Sequence, residues 1–257
     1  PTPNGEKVVM RILDEAKGKI DLHKLGFEGQ ILKEWRETIK TANGILLVTG
    51  PTGSGKTTTL YATLNTLNSV AVNIMTVEDP IEYSLENINQ SQVNVKAGLT
   101  FTTALRTMMR QDPDVILVGE MRDVDTIELA IRAALTGHLV FSTLHTNDAS
   151  STFTRLLDMG IDSYLVSSTV RAILAQRLIR LLCPRCKKQV DKTDELLETL
   201  QIDSWPDYTG IHEPVGCIHC RNSGYVGRTG VFELLVPNQA IKDLIIKGAS
   251  ADEIEAA

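Results

Sequence analysis

The stretch Gly50-Pro51-Thr52-Gly53-Ser54-Gly55-Lys56-Thr57 fits the pattern G-x-x-x-x-G-K-[ST] in full, and no other feature constrains the fold so tightly. Each residue type has a task. Glycines let backbone N–H groups turn onto phosphate oxygens, Lys56 reaches the β and γ phosphates, and the Thr57 hydroxyl ligates Mg²⁺. The loop follows an apolar run, Ile45-Leu46-Leu47-Val48, and precedes a helix-competent segment, Thr58 to Leu67. Phosphates held there would sit on a helix amino terminus. An ordinary glycine-rich turn has no reason to sit between those two elements. The candidate nucleotide-binding residues are therefore Gly50, Pro51, Thr52, Gly53, Ser54, Gly55, Lys56, Thr57 and Thr58.

Three further apolar runs, Ala71 to Val77, Val115 to Val118 and Leu139 to Phe141, alternate with segments of helical length. Runs without a polar face are what a parallel sheet covered on both sides requires, so the core is α/β. Residues 1–40 read as a short strand from Val8 to Leu13 and a helix near Gln30 to Lys40, with Ile31, Leu32, Trp35 and Ile39 on one face. The core spans 41–182. A cysteine-rich module follows over 183–235, and 236–257 is helical. The sequence begins without a Met and moves at once into a strand-like stretch, which suggests a piece of a longer protein.

Hydrolysis needs a group that orients water and a second hold on the metal. The second strand ends in Glu78-Asp79-Pro80 and the third in Gly119-Glu120. In open parallel sheets ligands gather outside the carboxyl ends of the strands, so Gly50, Glu78 and Glu120 are expected to converge from strands flanking that of the phosphate loop. Each carboxylate alone could equally be a helix cap or a solvated turn. The fourth strand lies between His138 and His145, whose odd separation puts them at opposite ends and on opposite faces. His145, past the carboxyl end, ranks above His138 as a sensor of the γ-phosphate. His138 is as readily structural. Arginine commonly stabilises charge in phosphoryl transfer, and Arg106, Arg110, Arg122, Arg155 and Arg11 are candidates, though a solvated face suits each of them as well.

The four cysteines of the chain form Cys183-x-x-Cys186 and, thirty residues on, Cys217-x-x-Cys220. Two such knuckles make a tetrahedral sulfur site of the kind structural zinc requires, with His212 or His219 near enough to replace a ligand. Two disulfides or four reduced core cysteines are the alternatives, and the cytosol, where a nucleotide-hydrolysing chain is expected to work, disfavours disulfides.

At this point a resemblance emerges. Thr76-Val77-Glu78-Asp79-Pro80-Ile81-Glu82 resembles an "Asp box", Arg110 to Asp123 a Walker B region, and Thr136-Gly137-His138 through His145-Thr146-Asn147 a "His box". With the phosphate loop these are similar to the secretion ATPases that power type II secretion and type IV pilus assembly, over about Gly5 to Leu235. The resemblance implies a RecA-like ATPase core in a homo-hexameric ring at the cytoplasmic face of the bacterial inner membrane. It implies ATP and Mg²⁺ as cofactors, Glu78 polarising the attacking water, and Glu120 holding or orienting the metal. It supports Cys₄ zinc, and because retraction ATPases generally lack that insertion, it favours an assembly or secretion motor. The partners it implies are an inner-membrane platform protein and a cytoplasmic recruiting protein. Domains ahead of residue 1 would strengthen ring assembly.

A nucleic-acid helicase or translocase on the same core is the competing reading, and a nucleotide-gated scaffold the third. Lys plus Arg number 26 against 32 Asp plus Glu, a net charge of −6, and only 5% of residues are aromatic. That leaves little for backbone attraction or base stacking, so nucleic acid is disfavoured. One local excess departs from the balance: Arg171, Arg177, Arg180, Arg185, Lys187 and Lys188 lie in a stretch without acidic residues. It reads as a solvated or inter-subunit face, or as a surface for anionic lipid or an acidic partner. No apolar run approaches the roughly 18 residues of a membrane-spanning helix, and the first residues carry no apolar signal core, so a soluble chain is expected.

Overall fold

The computed structural model describes residues 3, 5–8, 21–191, 198 and 210–257. The expected first strand and Arg11 fall largely outside them. The described elements are α1 (Gly29–Thr38), β1 (Gly44–Thr49), α2 (Lys56–Leu67), β2 (Ile74–Glu78), β3 (Asn89–Gln92), α3 (Phe101–Met108), β4 (Val115–Val118), α4 (Val124–Leu135), β5 (Leu139–Leu144), α5 (Ser150–Asp158) and α6 (Ser163–Thr169). They continue as β6 (Val170–Leu182), β7 (Lys188–Val190), β8 (Ile211–Glu213), β9 (Tyr225–Leu235), α7 (Gln239–Lys247) and α8 (Ala251–Glu255). Two compact units result, one of Pro1–Arg177 with Val231–Ala257, the other Leu178–Gly230.

The first unit is a three-layer α/β structure. Its sheet has the order β3-β2-β4-β5-β1-β6-β9, and the pairs β2–β3, β2–β4, β4–β5, β5–β1 and β1–β6 are all parallel. Every residue of β1 is buried. Its side chains alternate between two cores, as a period of two dictates. Ile45 and Leu47 pack with Leu105, Ile127, Phe153, Val166 and Ile245 from α3 to α7, while Leu46 and Val48 meet Trp35 of α1 and Leu60 and Leu64 of α2. Trp35 is fully buried, and its indole N–H donates to Thr63 Oγ1 at 3.1 Å. A buried ring with its one donor satisfied anchors α1 on α2.

The strand order corrects one expectation. β1 is flanked by β5 and β6, so β4 lies two strands away and β2 three, about 10 and 14 Å at the usual spacing. The crossovers after β2 and β4 carry the chain outward first and only then back, which inserts β5 between β4 and β1. Besides β7, β8 and β9 in the cysteine-rich stretch and after it, two strands of the sheet were not foreseen. β3 is Asn-Gln-Ser-Gln, a polar edge strand without apolar alternation. β6, thirteen residues long, contains Arg171, Arg177 and Arg180, half of the basic stretch that reads as a charged surface. Two of those cations hold backbone instead: Arg171 Nε donates to Asn43 O at 3.1 Å and Arg177 to Asn147 O at 3.4 Å.

The carboxy-terminal segment is helical as expected. Asn238 caps α7 by accepting from Ile241 N at 2.9 Å, and Ser250 with Glu253 forms a capping box on α8. No helix of the described residues is long and apolar enough to cross a membrane.

Candidate functional site

The phosphate loop leaves β1 at Thr49 and delivers the chain to α2 at Lys56. Gly50 has φ +139°, and a Cβ there would lie 2.3 Å from the Gln176 carbonyl oxygen on β6, so only glycine fits. Gly55 caps α2 in the left-handed region at φ 90°. Lys56 curls back over the loop, its Nζ donating to Gly50 O at 2.7 Å and Pro51 O at 3.1 Å. Thr57 is exposed and Thr58 half-buried, both at the start of α2, whose helix dipole favours an anion. Loop shape, ammonium and helix terminus together fit a nucleotide's phosphates.

Glu120 is drawn to the same place by the end of β5. Thr143 Oγ1 donates to Gly119 O at 2.8 Å, and Met121 N donates to Thr143 O at 3.2 Å, which bends residues 119–121 over the strand β5 that separates β4 from β1. Thr146 N donates to Thr49 Oγ1 at 3.0 Å, tying the loop after β5 to the end of β1. His145 is set between these two ties. Glu120, 13% exposed, has one oxygen 2.6 Å from the Arg122 guanidinium and the other 3.8 Å from His145 Nε2. Burial lowers the Lys56 pKa from its ordinary value, and the nearby charge of Glu120 resists that shift. The Arg122 pKa is raised by its hydrogen bond and attraction to Glu120. Glu120, Arg122 and His145 thus form one cluster, whose carboxylate acts electrostatically on Lys56 of the loop.

Glu78 is placed differently. It is 3% exposed, and three donors hold its carboxylate: the Tyr61 hydroxyl on one oxygen, the Thr76 hydroxyl and Gln90 Nε2, at 3.1 Å, on the other. It faces α2 and β3 rather than the open crevice. Burial first, then the Glu78 carboxylate beside it, push the Tyr61 phenol far above its ordinary pKa. His138 lies at the amino end of β5, seven residues from His145, with Nδ1 2.8 Å from Ala133 O at the end of α4. Arg106 belongs to the end of α3, Arg110 to the turn just after it, and Arg155 to the last turn of α5. Those ends lead toward the amino edge of the parallel sheet, away from the loop of the same chain. His138, Arg106 and Arg110 therefore do not join the cluster within this chain.

Gln176 is a contact that motif reading passes over. Its Nε2 donates to Ser54 O at 2.8 Å, and its Oε1 accepts from Thr59 Oγ1 at 2.7 Å, with the side chain buried. The signal in the sequence is one amide that closes an apolar run, Ala172-Ile173-Leu174-Ala175-Gln176.

In the second unit the four cysteines converge. Their sulfurs all lie within 4.8 Å of one another, with Cys183–Cys217 at 4.0 Å, Cys186–Cys220 at 3.8 Å and Cys217–Cys220 at 3.7 Å. None is disulfide-bonded. Four sulfurs at about 2.3 Å from a common centre stand about 3.8 Å apart on a tetrahedron, so the donor set fits zinc. Backbone N–H groups of Gly216, Cys217 and Gly224 point at Cys186 and Cys220 sulfurs at 3.1–3.3 Å, the outer support that thiolate ligands need. Burial opposes ionisation of Cys220, yet these N–H groups and the neighbouring thiols bring it down to about 6. Neither His212 nor His219 belongs to the cluster.

Comparison with known proteins agrees with this geometry. The family described as type II/IV secretion system protein matches residues 1–257. Type II secretion system protein E of Pseudomonas aeruginosa is 51% identical over 254 residues, 99% of this chain and 50% of that protein. The type IV pilus assembly ATPase PilB of Myxococcus xanthus is 50% identical over 260 residues, 99% of this chain and 45% of that protein. The chain therefore spans about half the length of the curated relatives it matches. Among solved structures, the pilus retraction motor PilT with bound ADP is similar at a TM-score of 0.66 and 33% identity, over 93% of this chain and 58% of that one. By family profile and by identity along its whole length, the chain belongs to the type II/IV secretion system proteins.

Proposed function

We propose that this chain is the ATP-hydrolysing core of a mechanical motor for type II secretion or type IV pilus assembly. The observation that carries the reading is a complete phosphate loop with Lys56 folded over it, and a Glu120 carboxylate paired with Arg122 and His145 whose charge reaches that lysine. Loop N–H groups and Lys56 would hold the β and γ phosphates, Lys56 exchanging its present carbonyl partners for phosphate oxygens. Bound Mg²⁺ would neutralise charge on the transferred phosphoryl group. Thr57 and Glu120 are its expected holders, directly or through water, and His145 the group that senses the γ-phosphate. Arg122, already paired with Glu120, adds positive charge at the same rim.

Glu78 is enclosed by Tyr61, Thr76 and Gln90, so we assign it to holding the loop that follows β2 rather than to polarising water. Within the same motif the half-buried Glu82 remains for that role; its backbone N–H reaches the Tyr61 hydroxyl at 3.4 Å. His138, Arg106 and Arg110 then act, if at all, on a neighbouring subunit's site in a homo-hexameric ring. The Cys₄ set would hold structural zinc, with no coordination position left for chemistry. The curated relatives are named for type II secretion and type IV pilus assembly; work at the cytoplasmic side of an inner membrane, against a platform protein and a recruiting protein, is proposed on the motif resemblance. Lys187 and Lys188, with Arg180 and Arg185, offer charge for anionic lipid. Hydrolysis assayed with and without single-stranded DNA at two salt concentrations tests the reading. Turnover indifferent to DNA is expected, and strong, salt-sensitive stimulation would favour a helicase.

A further inference from the structure

We infer that Gln176 is a positioning residue that sets the shape of the phosphate loop, and that its amide governs nucleotide affinity rather than the chemical step. This inference rests on the nucleotide-binding reading above. Gln176 sits on β6, adjacent to β1, and touches the loop at two points and the helix that follows it at one. Its Nε2 donates to Ser54 O inside the loop at 2.8 Å, and its Oε1 accepts from Thr59 Oγ1 on α2 at 2.7 Å. Its own backbone carbonyl closes on Gly50 so tightly that a Cβ there would lie 2.3 Å away. One side chain thus bridges the middle of the loop and the helix the loop leads into, while its main chain presses on the loop's first residue.

The chemistry makes the bridge specific to an amide. Ser54 O needs a donor and the Thr59 hydroxyl needs an acceptor, and an amide offers both from one planar group without any change of protonation state. All the groups involved are buried: Gln176 is 3% exposed, Ser54 3% and Thr59 0%. Buried polar groups left unpaired are costly, so the loop cannot leave this shape cheaply while Gln176 is in place. Ser54 Oγ, also buried and without a hydrogen-bond partner, lies in the stretch that the amide holds. The loop's N–H groups are consequently set before phosphates arrive. Preorganisation of that kind acts equally on diphosphate and triphosphate, which places its effect in binding.

The test is a titration of fluorescent methylanthraniloyl-ADP with Mg²⁺ into the protein and into Gln176→Met, Thr59→Val and the double variant, alongside steady-state hydrolysis. Methionine keeps the length and removes both hydrogen bonds. Gln176→Met is expected to raise Kd about tenfold and Thr59→Val about threefold, with kcat at saturating ATP within about threefold of the parent. The double variant should bind no more weakly than Gln176→Met, because both changes break one bridge, and Thr59→Ser should restore affinity. Should Gln176→Met fail to fold, Thr59→Val decides: an unchanged Kd there overturns the inference. A folded Gln176→Met protein that binds within twofold of the parent, or that loses kcat at unchanged Kd, overturns it too. Absence of nucleotide binding by the parent would overturn the nucleotide reading itself.

Discussion

Tyr61 of α2 donates its hydroxyl hydrogen to the carboxylate of Glu78 at the end of β2, joining the helix of the phosphate loop to the strand three places away in the sheet. That contact separates two glutamates of one motif. Glu78→Gln weakens a buried network and should cost about 1–3 kcal/mol of stability, read by urea denaturation, while leaving measurable turnover. Glu82→Gln should abolish turnover with nucleotide still bound. A stable Glu78→Gln protein without turnover, beside a normal Glu82→Gln protein, would restore the water-polarising role to Glu78.

Removal of metal is expected to act on the second unit. Chelation, or Cys217→Ser with Cys220→Ser, should expose backbone amides of the described residues 210–230 to faster hydrogen exchange and release one zinc per chain. ATP turnover per folded chain should change less than about threefold, since a saturated sulfur site contributes no reacting group. Turnover that falls in proportion to zinc content would mean that the metal supports the active site.

Asp148 gives a pH signature. Burial works against its charge, but hydrogen bonds from Ser151 N at 2.7 Å and from the Ser151 and Ser150 hydroxyls, with Arg177 nearby, bring its pKa below the ordinary value. A carboxylate lowered by folding contributes stability that is present above its unfolded pKa, about 3.9, and is lost as pH falls through the lower folded value. Asp148→Asn keeps the acceptor and removes the charge, so it should cost up to about 1 kcal/mol at pH 7, the usual worth of a carboxylate at a helix amino terminus, and little near pH 2. Urea midpoints at the two pH values check this; an equal gap at both would show that the carboxylate charge is not responsible.

Trp35 tests the layer that carries α2. Trp35→Phe keeps most of the buried ring but leaves Thr63 Oγ1 without its indole donor, and should cost about 1–2 kcal/mol. Trp35→Ala should cost about 3–5 kcal/mol through the cavity it opens. Thermal unfolding followed by circular dichroism measures both, and near-equal losses would mean that packing is a minor part.

Much of this architecture was legible in the residues themselves. Ile45 to Val48, Val115 to Val118 and Leu139 onward are apolar on both faces, and each is a central strand. The phosphate loop carries its own geometry in its glycines. His145 and Glu120 were placeable because they follow strand ends. What the residues could not reveal was lateral order, because the insertion of β5 between β4 and β1 depends on crossovers that leave no local pattern. For the same reason the enclosure of Glu78 by Tyr61 and Gln90 was hidden: Gln90 belongs to β3, a polar strand without alternation, and its hydrogen bond forms only after the sheet does. Gln176 was hidden by its neighbours, since attention falls on the arginines around it.

Steady-state hydrolysis of Mg-ATP by the protein and by Lys56→Ala, with folding verified for both, addresses the central claim most directly. Magnesium-dependent turnover that drops at least about a hundredfold in the variant is the predicted result. Comparable phosphate release by both proteins would contradict a phosphate-loop site built around Lys56 and Glu120.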